Sequence, residues 1–197
     1  LTDRVRRLVD ASPMRRLAGV SQLGLVSLVY PGANHSRLEH SLGVYRNALL
    51  FLNRFAEDQR FADLISAADA EKFLVAALLH DVGHWPFCHP IEDMRLSNLG
   101  EHESRIVGWL DDPELAECIE QDWECDRQDV LALLEAGDQT EQGDASRRFL
   151  ASCMSGPIDI DKLDYLQRDS LHAGVPYGRN FDVGRLISSM CINDGQS

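Results

Sequence analysis

The 197 residues are enough for one domain with a sizeable core. Hydrophobic residues make up 44% and charged residues 26%, a globular balance that excludes an intrinsically disordered chain. The formal net charge of −13 argues against a broad duplex-binding surface, which needs clustered Lys and Arg, but leaves room for a small anionic substrate in a locally cationic pocket.

Ser12-Pro13 reads as a helix start, with Ser as N-cap and Pro in the first turn. Leu23 to Tyr30 leans towards β structure and Pro31-Gly32 towards a turn, so one small β-hairpin is expected near residues 23–33. A long helix follows from Ser36, on which Leu38, Leu42, Tyr45, Leu49, Leu52 and Ala56 form an expected buried stripe. His40 falls on the neighbouring stripe with Val44, Asn47 and Phe51. Ser66 and Asp69 have capping-box spacing and open a second helix. That helix is apolar all round from Phe73 to Leu79, the mark of a central, buried element. It is the longest nearly uncharged apolar run, far too short to span a bilayer, so no membrane partner is expected. The helix ends at His80-Asp81, with Gly83 as expected C-cap.

Further helices are expected over 101–110, 114–119, 126–136, 158–172 and 183–190, with 137–146 as a surface loop. The fold class is therefore all-α, read as a single domain over 1–197. A chain that opens on Leu1-Thr2-Asp3-Arg4, without a signal pattern, is read as the N-terminal part of a longer one. The five cysteines, Cys88, Cys118, Cys125, Cys153 and Cys191, contain no CxxC pair, which points to free thiols and a cytoplasmic location. The basic cluster Arg4, Arg6, Arg7, Arg15 and Arg16 reads as an ordinary solvated helix face, so no nucleic-acid partner is expected.

Three separated segments hold ligand-type residues: His40 in Arg37-Leu-Glu-His40, then His80-Asp81, then Asp159-Ile-Asp161-Lys162-Leu-Asp164-Tyr165-Leu-Gln-Arg168-Asp169. Each alone has a bland account: a core histidine, an accidental dipeptide, a solvated acidic face. Together, two imidazoles and two carboxylates would neutralise a divalent ion and leave positions open for water and a phosphate oxygen. Such mixed ligation suits Mn, Fe, Zn, Co or Ni better than Mg.

The order His40, His80-Asp81, Asp161 resembles the signature of the HD-domain metal-dependent phosphohydrolases, an all-α helical-bundle family. The longer blocks Tyr30-Pro-Gly-Ala-Asn-His-Ser-Arg-Leu-Glu-His-Ser-Leu-Gly43, Leu79-His-Asp-Val-Gly-His-Trp-Pro-Phe-Cys-His89 and Asp159 to Asp169 resemble its deoxynucleoside triphosphate triphosphohydrolase branch. The resemblance implies a metal held by His40, His80, Asp81 and Asp161, and Mg riding with the substrate. It implies catalytic roles for His84, His102 and Glu92, and substrate contacts from Arg37, His89, Lys162, Tyr165 and Asp169. The implied reaction is hydrolysis of a dNTP to deoxynucleoside and triphosphate by a homo-oligomer. Two positions depart from the pattern: Glu92 stands where the branch usually has Asp, and Trp85 where it has Gly. The alternatives are an HD-type phosphatase or phosphodiesterase on a monophosphate or cyclic nucleotide, and a non-catalytic nucleotide sensor.

Overall fold

The computed structural model describes residues 1–87, 91, 92, 94, 103–135 and 144–192. Among these the architecture is all-helical. The helices are α1 (Asp3–Asp10), α2 (Ser12–Arg16), α3 (Arg37–Phe55), α4 (Gln59–Leu64), α5 (Ala67–Leu79), α6 (Glu103–Leu110), α7 (Pro113–Glu117), α8 (Arg127–Leu134), α9 (Ala145–Ser155), α10 (Ile160–Ala173) and α11 (Val183–Ser189). Most start at a side-chain cap that satisfies an otherwise orphaned N–H. Ser36 and Glu39 form a capping box at α3, Ser66 and Asp69 another at α5, and Asp159 accepts from the Lys162 amide at α10. The cap of α2 is Ala11 rather than Ser12, whose amide donates to Glu114 Oε2 at 2.6 Å.

The expected hairpin at 23–33 is not there. Gly24 takes a left-handed turn (φ 55°), and Gly24–Leu28 winds into a 3-10 helix. No second strand lies alongside to satisfy an extended backbone, so local i→i+3 hydrogen bonds do so instead. The ends of this loop pair antiparallel in one isolated bridge, Ser21 to Ser36. The apolar side chains of Leu25, Leu28, Val29 and Tyr30 stay exposed.

The centre of the bundle is α3, packed against both α5 and α10. Phe73 to Leu79 are all buried, as the uninterrupted apolar run requires. The expected leucine stripe is only part of the buried face of α3: Tyr45 is buried and Leu38, Leu42 and Leu52 are half-buried. Leu49 is 42% exposed and Ala56 is exposed, whereas His40, Val44, Asn47, Ala48 and Phe51 are buried. Packing against both α5 and α10 turns the polar-looking stripe inward, and Leu38, Leu42 and Leu52 pack at its margin. Asn47 is accommodated there because its amide donates to the Ile160 carbonyl at the start of α10 (2.9 Å). Gly83 is not the cap of α5: His80 continues in helical geometry and a turn follows, while the left-handed glycine cap closes α10 at Gly174 (φ 70°).

No helix among the described residues is long and apolar enough to cross a membrane.

Candidate metal centre

Three helices meet at one cleft of about 360 Å³, lined by Gln22, Arg37, His40, His80, Asp81 and His84 on its polar side. Ile106, Leu133, Leu134 and Met154, from α6, α8 and α9, form an apolar wall opposite. Asp161 and Tyr165 reach it from α10.

His40 comes from the first turn of α3, and His80-Asp81 from the point where α5 unwinds. Donor atoms of His40, His80 and Asp81 all lie within 4.8 Å of one another. Asp161 stands beside them, its Oδ1 2.8 Å from His40 Nε2 and 3.9 Å from His80 Nε2. His80 Nδ1 donates to the Ala77 carbonyl (3.0 Å) and His40 Nδ1 to Asp164 Oδ2 (2.8 Å). Neutral rings held this way would turn both Nε2 lone pairs towards each other, 3.2 Å apart, with a carboxylate at the same spot. Acceptors that converge without a donor repel one another unless a cation or proton sits among them. Two nitrogens and two carboxylates in this arrangement fit a divalent metal.

The electrostatics agree. Burial works against a charged His40 ring, but hydrogen bonds to Asp161 and Asp164 and the charge of Asp81 outweigh it and raise the pKa to about 10. Burial likewise opposes ionisation of Asp81, yet His80, His84 and Arg37 hold its carboxyl well below the usual range. Asp161 is also lowered: burial opposes, while the His40 hydrogen bond and the His80 charge prevail.

Around the cluster, Arg37 is buried and donates to Asp81 Oδ2 at 2.9 Å. His84 is buried with Nδ1 3.2 Å from Asp81 Oδ1. Lys162 does not line the cleft. Its ammonium is held at the helix start by Asp159 and by the Gly156 carbonyl (3.0 Å). Asp169 does not line it either, because eight residues along a helix bring the side chain round by about 80° from Asp161. It is buried instead against His35, whose Nε2 lies 2.8 Å from Asp169 Oδ1, and His35 stacks on His172. Glu92 is half-buried outside the lining residues. His89 and His102 lie outside the described residues.

Two participants were not legible in the sequence. Gln22 lines the cleft, and its buried Oε1 has no hydrogen-bond partner. Arg16, read as part of a solvated basic face, donates to the carbonyls of Val82 (2.6 Å) and His84 (2.5 Å) and lies over the Trp109 ring. It braces the turn that carries Asp81 and His84. Of the other arginines in that cluster, Arg4 pairs with Glu71, Arg7 with Asp122 and Arg15 with Asp10. Trp85 lies under the Arg105 guanidinium and not in the cleft.

The family profile described as HD domain matches residues 37–133. The uncharacterized protein YwfO of Bacillus subtilis (strain 168) is 36% identical over 96% of this chain and 41% of its own length. The deoxynucleoside triphosphate triphosphohydrolase SAMHD1 of Gallus gallus is 32% identical over 92% of this chain and 33% of its own. A solved structure of a phosphohydrolase from Bacteroides thetaiotaomicron VPI-5482 superposes with a TM-score of 0.74 at 32% identity, over 96% of this chain and 43% of that one. The chain thus spans less than half the length of these relatives.

Proposed function

We infer that this chain, an all-helical HD-domain bundle, is a metal-dependent phosphohydrolase acting on nucleotides, with a dNTP as the favoured substrate. The observation that carries the reading is the convergence of His40, His80 and Asp81, with Asp161 beside them, on one point of a cleft. The preference for a dNTP rests on the three sequence blocks and on the similarity to triphosphohydrolases of the SAMHD1 type.

A divalent transition ion there, one of Mn, Fe, Zn, Co or Ni, would polarise a phosphoryl oxygen and lower the pKa of a water. Arg37 brings a permanent positive charge to the cleft floor and holds Asp81 in place. His84, on the other Asp81 oxygen, is the proton donor of this reading, acting on the leaving oxygen. The apolar wall of Ile106, Leu133, Leu134 and Met154 offers a face for the base, and Tyr165 one for the sugar. Lys162 would reach a phosphate only by leaving Asp159, and Asp169 would meet a sugar hydroxyl only through the oxygen that His35 does not hold. By resemblance His102 and Glu92 complete the proton relay, His89 contacts the substrate, and Mg accompanies the triphosphate. Homo-oligomeric assembly and a cytoplasmic setting complete the proposal.

A second reading has its own support. Among the described residues lining the cleft, Arg37 is the single Arg or Lys, which suits a smaller phosphoester such as a nucleoside monophosphate. One experiment separates the readings: metal content of the purified chain, then product identification from a panel of dNTPs and monophosphates, with His80→Ala alongside. Intact triphosphate plus deoxynucleoside is the expected outcome. Orthophosphate from monophosphates alone selects the second reading. Bound metal and nucleotide without turnover selects a sensor, and absence of both metal and hydrolysis overturns the proposal.

A further inference from the structure

His40 is held at both ring nitrogens by one helix. Asp161 meets Nε2 at 2.8 Å, and Asp164, three residues on along α10, meets Nδ1 at 2.8 Å. Asp164 is itself fixed. The Arg168 guanidinium forks onto it, Nε to Oδ2 at 2.7 Å and Nη2 to Oδ1 at 2.8 Å, and the carboxylate is 10% exposed. A bidentate pair of this kind defines direction as well as charge.

The space for this pair is made by α3. Gly43 lies one turn after His40, and a Cβ built on it would overlap Asp164 Oδ1 and Cγ and Arg168 Nη2. A glycine in a helix interior costs roughly 0.8–1.0 kcal/mol against alanine, so this site gives up helix stability to admit an ion pair. Asp161, Asp164 and Arg168 recur at i, i+3 and i+7, which keeps all three directed at α3.

We propose that Asp164, clamped by Arg168 in the gap left by Gly43, is the positioning carboxylate of His40: it fixes the Nδ1–H tautomer and aims Nε2 at the candidate metal position. This rests on the metal-site reading above. A carboxylate behind a ligating imidazole holds the ring and raises its donor strength, and losing such a group typically weakens metal affinity by about 10–100-fold. The fork also occupies the second oxygen of Asp164, so this carboxylate serves the ring and does not turn towards the ion.

The test uses Mn²⁺ alone as probe, with free ion counted by electron paramagnetic resonance, and needs no turnover. Asp164→Asn is expected to weaken Mn²⁺ binding by about 10–100-fold. Proton spectra of the metal-free chain should show a downfield His40 Nδ1–H bonded to Asp164, and that resonance should move upfield in Asp164→Asn. Arg168→Gln, which keeps the carboxylate and loosens it, should weaken binding less but measurably. It serves alone if Asp164→Asn does not fold. Binding within twofold of the parent in the folded variants, with the Nδ1–H resonance unchanged, overturns the positioning role while leaving the metal site intact. A parent chain that holds no Mn²⁺ overturns both.

Discussion

Replacing Gly43 with alanine sets two effects against each other. Helix propensity alone favours alanine by about 0.8–1.0 kcal/mol. Against this stands the overlap of the new methyl with Asp164 and Arg168, far inside the 3.4–4 Å of ordinary contact. Neither neighbour is a loose surface chain: the Asp164 carboxylate is pinned by His40 Nδ1 and two guanidinium nitrogens. Overpacking of this kind costs roughly 1–3 kcal/mol, and each hydrogen bond to a charged group that breaks costs about 1.5–3 more. The net expectation is a loss of about 2–4 kcal/mol, or a melting temperature lower by about 4–16 °C for a chain of this length. Gly108 in α6 is the matched control. It is exposed, and a Cβ there meets nothing within 4 Å, so Gly108→Ala should gain about 0.5–1 kcal/mol by propensity alone. Urea unfolding of the metal-free chain measures both. A Gly43→Ala variant as stable as the parent would refute the claim that an ion pair fills this gap.

In metal-free protein, His40 holds its proton to about pH 10 against 6.5 when unfolded, so its contribution to stability is complete below about pH 6.5 and fades as pH rises towards 10. Urea midpoints at pH 6 and pH 9 should differ in the parent and less so in His40→Gln; equal slopes would remove His40 as the cause. Asp159→Ala deletes the buried cap of α10 and strands Lys162, with an expected loss of about 1–2 kcal/mol by thermal unfolding. An unchanged midpoint would contradict the capping account. Burial raises the Cys153 thiol to about 12 and the Cys125 thiol to about 11, while Cys191 is exposed. Brief alkylation with site-resolved mass spectrometry should label Cys191 well before Cys118, Cys125 and Cys153, and the reverse order would be incompatible with this packing.

Local signals carried much of the fold. The Ser66–Asp69 capping box and the apolar run after it place α5 within a residue, because both depend on neighbours in sequence. The leucine stripe of α3 told only part for a physical reason: periodicity reports one apolar face, while a helix with two packing partners buries a further face whose polar atoms are satisfied by distant partners such as the Ile160 carbonyl. The Leu23–Tyr30 segment misled because β-propensity needs a partner strand. At the candidate site, His40, His80 and Asp81 were legible as ligand types, and α10 brings Asp161 and Tyr165 to the same cleft. Its further turning carries Asp169 away. Gln22 and Arg16 were hidden, since nothing in their local sequence tells that α5 will end beneath them.

The hydrogen bond from Asn47 to the start of α10 acts as a latch on the sliding of two rods. The closest donors of the cluster lie 2.8–3.2 Å apart across α3, α5 and α10. A slip of α10 by one helical turn would carry Asp161 about 5.4 Å along the axis and out of reach. Greasy helix faces alone tolerate such slippage, since one methyl-lined groove resembles the next. A buried amide held to one carbonyl does not, and neither does the His40–Asp164 bond beside Gly43, so polar contacts align the two helices before any ion arrives.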